Sequence, residues 1–166
     1  MMTQSNEAFV RALLKSLKGE RGHIPIANAL SDIGWELAGK HIEGIPYSIY
    51  QLLKHMIYWQ DFLLLGLQGE QPKLPTHVKE SWPDESNAEN QEEWQKVIEH
   101  FLQGLEQACT ITQTMKLDEP LEKYPDVTRA EHLRNIASHN SYHLGEIVVM
   151  RRLLGSWPPP SGGYPA

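Results

Sequence analysis

Along most of the chain apolar residues return every three or four positions, the spacing that covers one face of an α-helix. The segment beginning SIYQLLKHMIYWQDFLLLG at Ser48 shows it clearly, as does the segment that runs through RNIASHNSYHLGEIVVMRRLLG to Gly155. The periodicity predicts helices at about 5–18, 25–39, 48–68, 90–115 and 128–154. Three of these starts carry a capping-box pattern, in which a side-chain oxygen and a Glu or Gln three residues on satisfy free backbone N–H groups. They are Ser48 with Gln51, Asn90 with Glu93, and Thr128 with Glu131. No segment alternates convincingly as a strand.

The first helix is short and ends at Lys18-Gly19, so residues 1–20 read as an N-terminal addition to four longer helices. The expectation is an all-α four-helix bundle in one domain spanning 1–166. The connection 69–89, GEQPKLPTHVKESWPDESNAE, contains three prolines and is too long for a tight bundle turn. It is either a long crossover or a flap over a site. The Pro- and Gly-rich tail at 155–166 cannot continue the last helix.

Composition narrows the function classes. With 40% apolar and 22% charged residues, the chain is ordinary for a folded protein rather than a disordered one. The 15 Lys plus Arg against 21 Asp plus Glu, a net charge of -6, argue against a nucleic-acid binder, which needs clustered cations. Cys109 is the single cysteine, which excludes a disulfide framework and a Cys-based zinc site and points to a reducing cytoplasm. Neither a signal peptide nor an apolar run of about 20 residues is evident, so no membrane association is expected.

The chemistry concentrates in histidines. His139 and His143 are four residues apart, about 40° around a helix and about 6 Å along it, so both imidazoles can aim at one point. They fall on the stripe of Ile136, Ile147, Met150 and Leu154 and so face inward. Taken alone, such a pair reads more readily as one core histidine and one boundary histidine. His55 alters the balance: it shares a face with Leu52, Trp59 and Phe62, and antiparallel packing would set it opposite the pair. Three neutral imidazoles in a bundle core suit a divalent metal, with open positions left for water, because a closed structural zinc site wants four protein ligands.

The other histidines read as ordinary. His41 and His77 fall in turns or loops, and His100 and His132 near helix surfaces or ends. His23, directly before a helix, either lines a pocket or caps and packs. Trp35, Trp59, Trp94, Phe62 and Phe101 fit core or pocket-wall positions. Asn140, Tyr142 and Glu146 flank the pair, as supporting groups or, for Glu146, as a solvated side chain. There is no Gly-rich phosphate loop, G-x-S-x-G or H-E-x-x-H.

His55 within LLKHMIYWQDFLL, together with SHNSYHLGEIVVMRRLLGSWPP, resembles the DinB-like (DinB/YfiT) superfamily over roughly residues 20 to 160. The resemblance implies a four-helix bundle with one long crossover, a homodimer, and nickel or zinc, with iron as a third option, held by three histidines. Carried over residue by residue, the family's ligands match His55, His139 and His143. Tyr142 and Leu144 stand where many relatives carry an adjacent histidine and an arginine, so the ligand spacing is kept while the pocket differs.

Relatives include thiol-dependent transferases or isomerases and metal-dependent hydrolases. The expectation is therefore a divalent-metal-dependent transferase or hydrolase acting on a small molecule, with a low-molecular-weight thiol among the candidates. The alternative is a non-catalytic metal- or ligand-binding dimeric module. A thiol carrying carboxylates would favour cations such as Arg151 or Arg152 at the pocket mouth. The general base has no assigned residue.

Overall fold

In the computed structural model, which describes residues 4–165, six α-helices follow one another along the chain. They are α1 (Gln4–Lys18), α2 (Ile26–Leu30), α3 (Trp35–Ala38), α4 (Ile49–Leu67), α5 (Gln91–Thr114) and α6 (Arg129–Leu153). A single 3-10 turn, Val78–Ser81, interrupts the connection between α4 and α5. Among the described residues no helix is long and apolar enough to cross a membrane.

The long helices begin where their caps place them. Ser48 accepts from the Gln51 N–H while Gln51 accepts from the Ser48 N–H, and Thr128 does the same with Glu131. At α5 only half of the expected box forms. Asn90 accepts from the Glu93 N–H at 3.0 Å, but the Glu93 carboxylate turns to the Glu89 N–H instead.

The bundle is built from α1, α4, α5 and α6. Helix α4 packs on α5 and α6, and α1 packs on both α5 and α6. The N-terminal helix thus occupies the bundle position that periodicity gave to 25–39. That stretch is two short helices because Asp32 has a left-handed backbone (φ 58°) and Ser31 is extended. The carbonyls of Ala29 and Ser31, which a continuous helix would engage, accept instead from Arg151 at 2.7 and 2.9 Å.

A small antiparallel hairpin, β1 (Pro120–Leu121) and β2 (Tyr124–Thr128), leads into α6, where the sequence showed no strand pattern. It is short and mostly exposed, so it has no apolar alternation to read. The core centres on Trp94 and Phe101 of α5, Leu52, Leu53 and Met56 of α4, and Leu133, Ile136 and Ile147 of α6. The Trp94 indole N–H donates to the Ile33 carbonyl at 2.7 Å, tying the 31–34 break to α5. Trp35 is partly buried against this core, whereas Trp59 and Phe62 are half-buried and meet edge to face at 5.4 Å.

Three helices meet at Gln60, which is 1% exposed. Its amide donates to the Phe101 carbonyl on α5 at 2.9 Å and accepts from the Asn140 amide on α6 at 2.9 Å. Gly104 makes this possible, because a Cβ there would lie 2.4 Å from the Gln60 nitrogen.

Arg151 is buried along with the core residues, at 1% exposure. Besides the carbonyls of Ala29 and Ser31, its guanidinium donates to the Ser156 carbonyl, and its charge lies 5.7 Å from the centre of the Trp157 ring. It clamps α2 and the tail to α6 and does not stand at a pocket mouth. A lysine has one ammonium and no planar fork to reach both sides. Arg151→Lys is therefore expected to cost about 2–3 kcal/mol, the scale of charge-assisted hydrogen bonds. Urea denaturation checks this; an unchanged midpoint would contradict it.

Candidate metal centre

The three imidazoles singled out in the sequence come together in the interior. His55 projects from the middle of α4 and is 6% exposed; His143 projects from α6 and is 9% exposed; His139, one turn earlier, is half-buried. Ring centres lie 5.3 Å apart for His55 and His139, 5.0 Å for His55 and His143, and 4.5 Å for His139 and His143. One ring nitrogen from each lies within 4.8 Å of the other two.

The outer nitrogens fix which lone pairs remain. His55 Nδ1 lies 3.2 Å from the Ser81 carbonyl and 3.1 Å from Ser81 Oγ. The carbonyl can only accept, and Ser81 Oγ already donates to the Val78 carbonyl at 2.8 Å. His55 Nδ1 therefore carries the proton, and Nε2 keeps its lone pair. His143 Nδ1 donates to Glu146 Oε2 at 2.5 Å, which again leaves Nε2 as the lone-pair nitrogen. Glu146 is held in turn, since Tyr47 donates its hydroxyl to the other carboxylate oxygen at 2.8 Å. Such outer partners orient imidazole ligands and raise their basicity.

Charge follows the same design. Burial first, then the neighbouring His143 and His55, pushes His139 down to about 4. Burial also lowers His55. Tyr47 is pushed up to about 12 by burial and by its bond to Glu146, so it keeps the proton it donates. Near neutral pH, His55 and His139 thus present neutral imidazole. Nitrogen lone pairs of this kind are what a borderline divalent ion binds, and the donor set fits one such ion.

The 69–89 connection belongs to this centre. Trp82 stacks on the His55 ring at 4.0 Å between centres, and Tyr47 stacks on Trp82 at 4.7 Å. Trp82, Ser81 and Tyr47 were not identified from the sequence. The available signal was a tryptophan within a proline-rich connection, which sets no partner. Of the flanking residues, Glu146 is a supporting group, Tyr142 is 69% exposed with its ring edge-on to His143, and Asn140 serves Gln60.

Elsewhere His41 and His77 are exposed, and His100 pairs with Asp61 at 2.8 Å on the surface. His132 is buried rather than superficial, because Gly66 of α4 lets its ring approach closely. Arg152 is exposed beside Trp157.

The model of the family described as the DinB family matches residues 2–164. Among solved structures, the crystal structure of a conserved protein from Enterococcus faecalis aligns with a TM-score of 0.54 at 16% identity, over 93% of this chain and 98% of that one. That similarity is one of fold. No curated protein matches the chain.

The depressed pKa of His139 gives a pH signature. In the unfolded chain this imidazole takes up a proton near its ordinary 6.5, and in the folded metal-free protein only near about 4. Between those values the unfolded state binds more protons, so acidification through this window destabilises the metal-free fold, whereas above 6.5 this group has no effect. Imidazole NMR of metal-free protein should show His139 unprotonated at pH 5.5. A midpoint at the ordinary value would contradict this.

Proposed function

Since the chain belongs to the DinB family, with a match over residues 2–164, we propose that it is a divalent-metal-dependent enzyme acting on a small molecule, with His55, His139 and His143 as the ligands. The observation that carries this reading is the convergence of three ring nitrogens while Ser81 and Glu146 occupy the outer nitrogens of His55 and His143. No fourth His, Cys, Asp or Glu joins the group among the described residues, which is the pattern of an open site. Nickel or zinc is the ion proposed, with iron third.

A bound ion supplies Lewis acidity and lowers the pKa of a water or thiol. The chain's own residues do the rest. Ser81 and Glu146 hold two imidazoles in one tautomer, Tyr47 steadies Glu146, and Trp82 shields the His55 face from water. Hydrolysis and thiol transfer are the two chemistries of the proposal. A carboxylate-bearing thiol would need a cation near the centre, and Arg151 is engaged by backbone carbonyls. Hydrolysis is therefore the first reaction to assay. The proposal includes a homodimer working in a reducing cytoplasm, and light scattering should give twice the chain mass.

The test begins with elemental analysis of untagged protein purified without chelators. About one equivalent of a transition metal is expected, with far less in His143→Ala. Glu146→Ala should keep the fold and weaken metal affinity about 10–100-fold, since it removes only the orienting partner of His143. Protein that stays metal-free after anaerobic reconstitution with nickel, zinc and iron would overturn the reading. Stoichiometric metal without turnover of esters, amides or thiol acceptors would instead indicate a binding module.

A further inference from the structure

His23 and Ser141 lie on the side of α6 away from the histidine cluster. Two residues along a helix correspond to about 200° of rotation, so Ser141 points away from both His139 and His143. His23 Nδ1 is 2.7 Å from the Ile24 carbonyl, and His23 Nε2 is 2.7 Å from Ser141 Oγ. The carbonyl can only accept, so Nδ1 bears the proton, Nε2 is the acceptor, and the serine hydroxyl donates to it.

A hydroxyl inside a helix ordinarily bonds back to the carbonyl four residues earlier. Ser16, Thr110, Thr112 and Thr114 all do so in this protein. Ser141 instead aims its proton at an imidazole. The surrounding backbone is shaped to hold that ring: Gly19 has φ 78°, and a Cβ there would lie 2.2 Å from His23 Cε1. The His23 N–H also donates to the Gly19 carbonyl. Both side chains line a cavity of about 350 Å³, together with Lys15 and Arg134. Lys15 has no ion-pair partner among the described residues.

A nucleophile within hydrogen-bond reach of a base, with the base oriented by a third group, is the arrangement that activates serine. We propose that Ser141 and His23 form a second reactive site, separate from the histidine cluster, that takes the acyl group of small esters. Ser141 Oγ bonds to the ester carbonyl carbon as its proton passes to His23 Nε2. The bond from that carbon to the leaving oxygen then breaks, and this oxygen takes the proton from Nε2. Water attacks the acyl-serine in the same way, releasing a carboxylic acid and restoring the hydroxyl. Lys15 and Arg134, which line the cavity together with Glu20, are the cations available to the negative charge that develops on the carbonyl oxygen.

The test uses the full chain with p-nitrophenyl acetate, with and without excess chelator, followed by the nitrophenolate burst and peptide mass spectrometry. One acetyl group per chain is expected on the peptide containing Ser141, and chelator should leave the burst unchanged, which separates this site from a metal-dependent one. Ser141→Ala should abolish that adduct. His23→Gln should slow acylation by about 100-fold or more, the usual contribution of a positioned base. Should His23→Gln lose its fold by circular dichroism, Ser141→Cys carries the test: its thiol should react with iodoacetamide far faster than buried Cys109. Absence of acetyl on Ser141, acetylation equal in Ser141→Ala, parent-rate acylation in folded His23→Gln, or a Ser141→Cys thiol no faster than Cys109 would each overturn the proposal.

Discussion

The register between α4 and α6 is pinned by a buried amide pair, Gln60 and Asn140, and the histidine cluster depends on that register. Asn140 directly follows His139, and Gln60 lies five residues beyond His55, so a slip that broke the amide bond would also carry His139 and His143 out of reach of His55. The slip is costly because both amides are 1% exposed, and a buried polar group that loses its partner costs about 1–3 kcal/mol. The side-chain oxygen of Asn140, Oδ1, has no hydrogen-bond partner among the described residues, so the Gln60 bond is the one that repays burying this side chain. Gly104 admits Gln60 to the same junction from the α5 side, making the constraint common to three helices.

Within that frame, each imidazole must reconcile burial with two ring nitrogens. His55 does so through Ser81, from a connection that would otherwise be an unattached loop, and Trp82 of the same segment covers the ring. His143 does so through Glu146 one turn along its own helix, with Tyr47 supplied from just before α4. His139 makes no hydrogen bond among the described residues, and its proton affinity falls furthest. The connection 69–89 is thus a structural wall of the cluster as well as a crossover, because the polar half of His55 would be stranded without it.

The parts of this arrangement that local periodicity encodes were legible in the sequence. His139 and His143 follow from four-residue spacing, and the starts of α4 and α6 from capping boxes whose partners are three residues apart. What escaped depends on partners far along the chain. The 25–39 stretch has helical spacing, yet Arg151 takes its carbonyls from 120 or more positions away. Ser81 and Trp82 meet His55 only because the fold lays their segment across α4. His132 reads as superficial near a helix end, and it is buried because Gly66 leaves room for its ring. The α1 position in the bundle was missed for a related reason, since length alone favoured 25–39.

Helix α6 shows why a single inward stripe was an incomplete description. It contacts α1, α2, α4, α5 and β2, so neighbours approach it from several sides. Three of its four buried polar residues are matched to different neighbours, Asn140 to α4, Arg151 to α2 and the tail, and His143 to Glu146 on α6 itself, whereas His132 Nδ1 has no hydrogen-bond partner among the described residues. Ser141, half-buried, is matched to the segment after α1 through His23. One face of α6 stays open to solvent along Arg134, Ser138, Tyr142 and Val149, and because that face carries apolar side chains while the packed faces carry polar ones, the helix does not read as simply amphipathic. Asn140, His143, Arg151 and Ser141 each sit where a specific partner meets them, and the faces of α6 can therefore carry separate chemistries without sharing side chains.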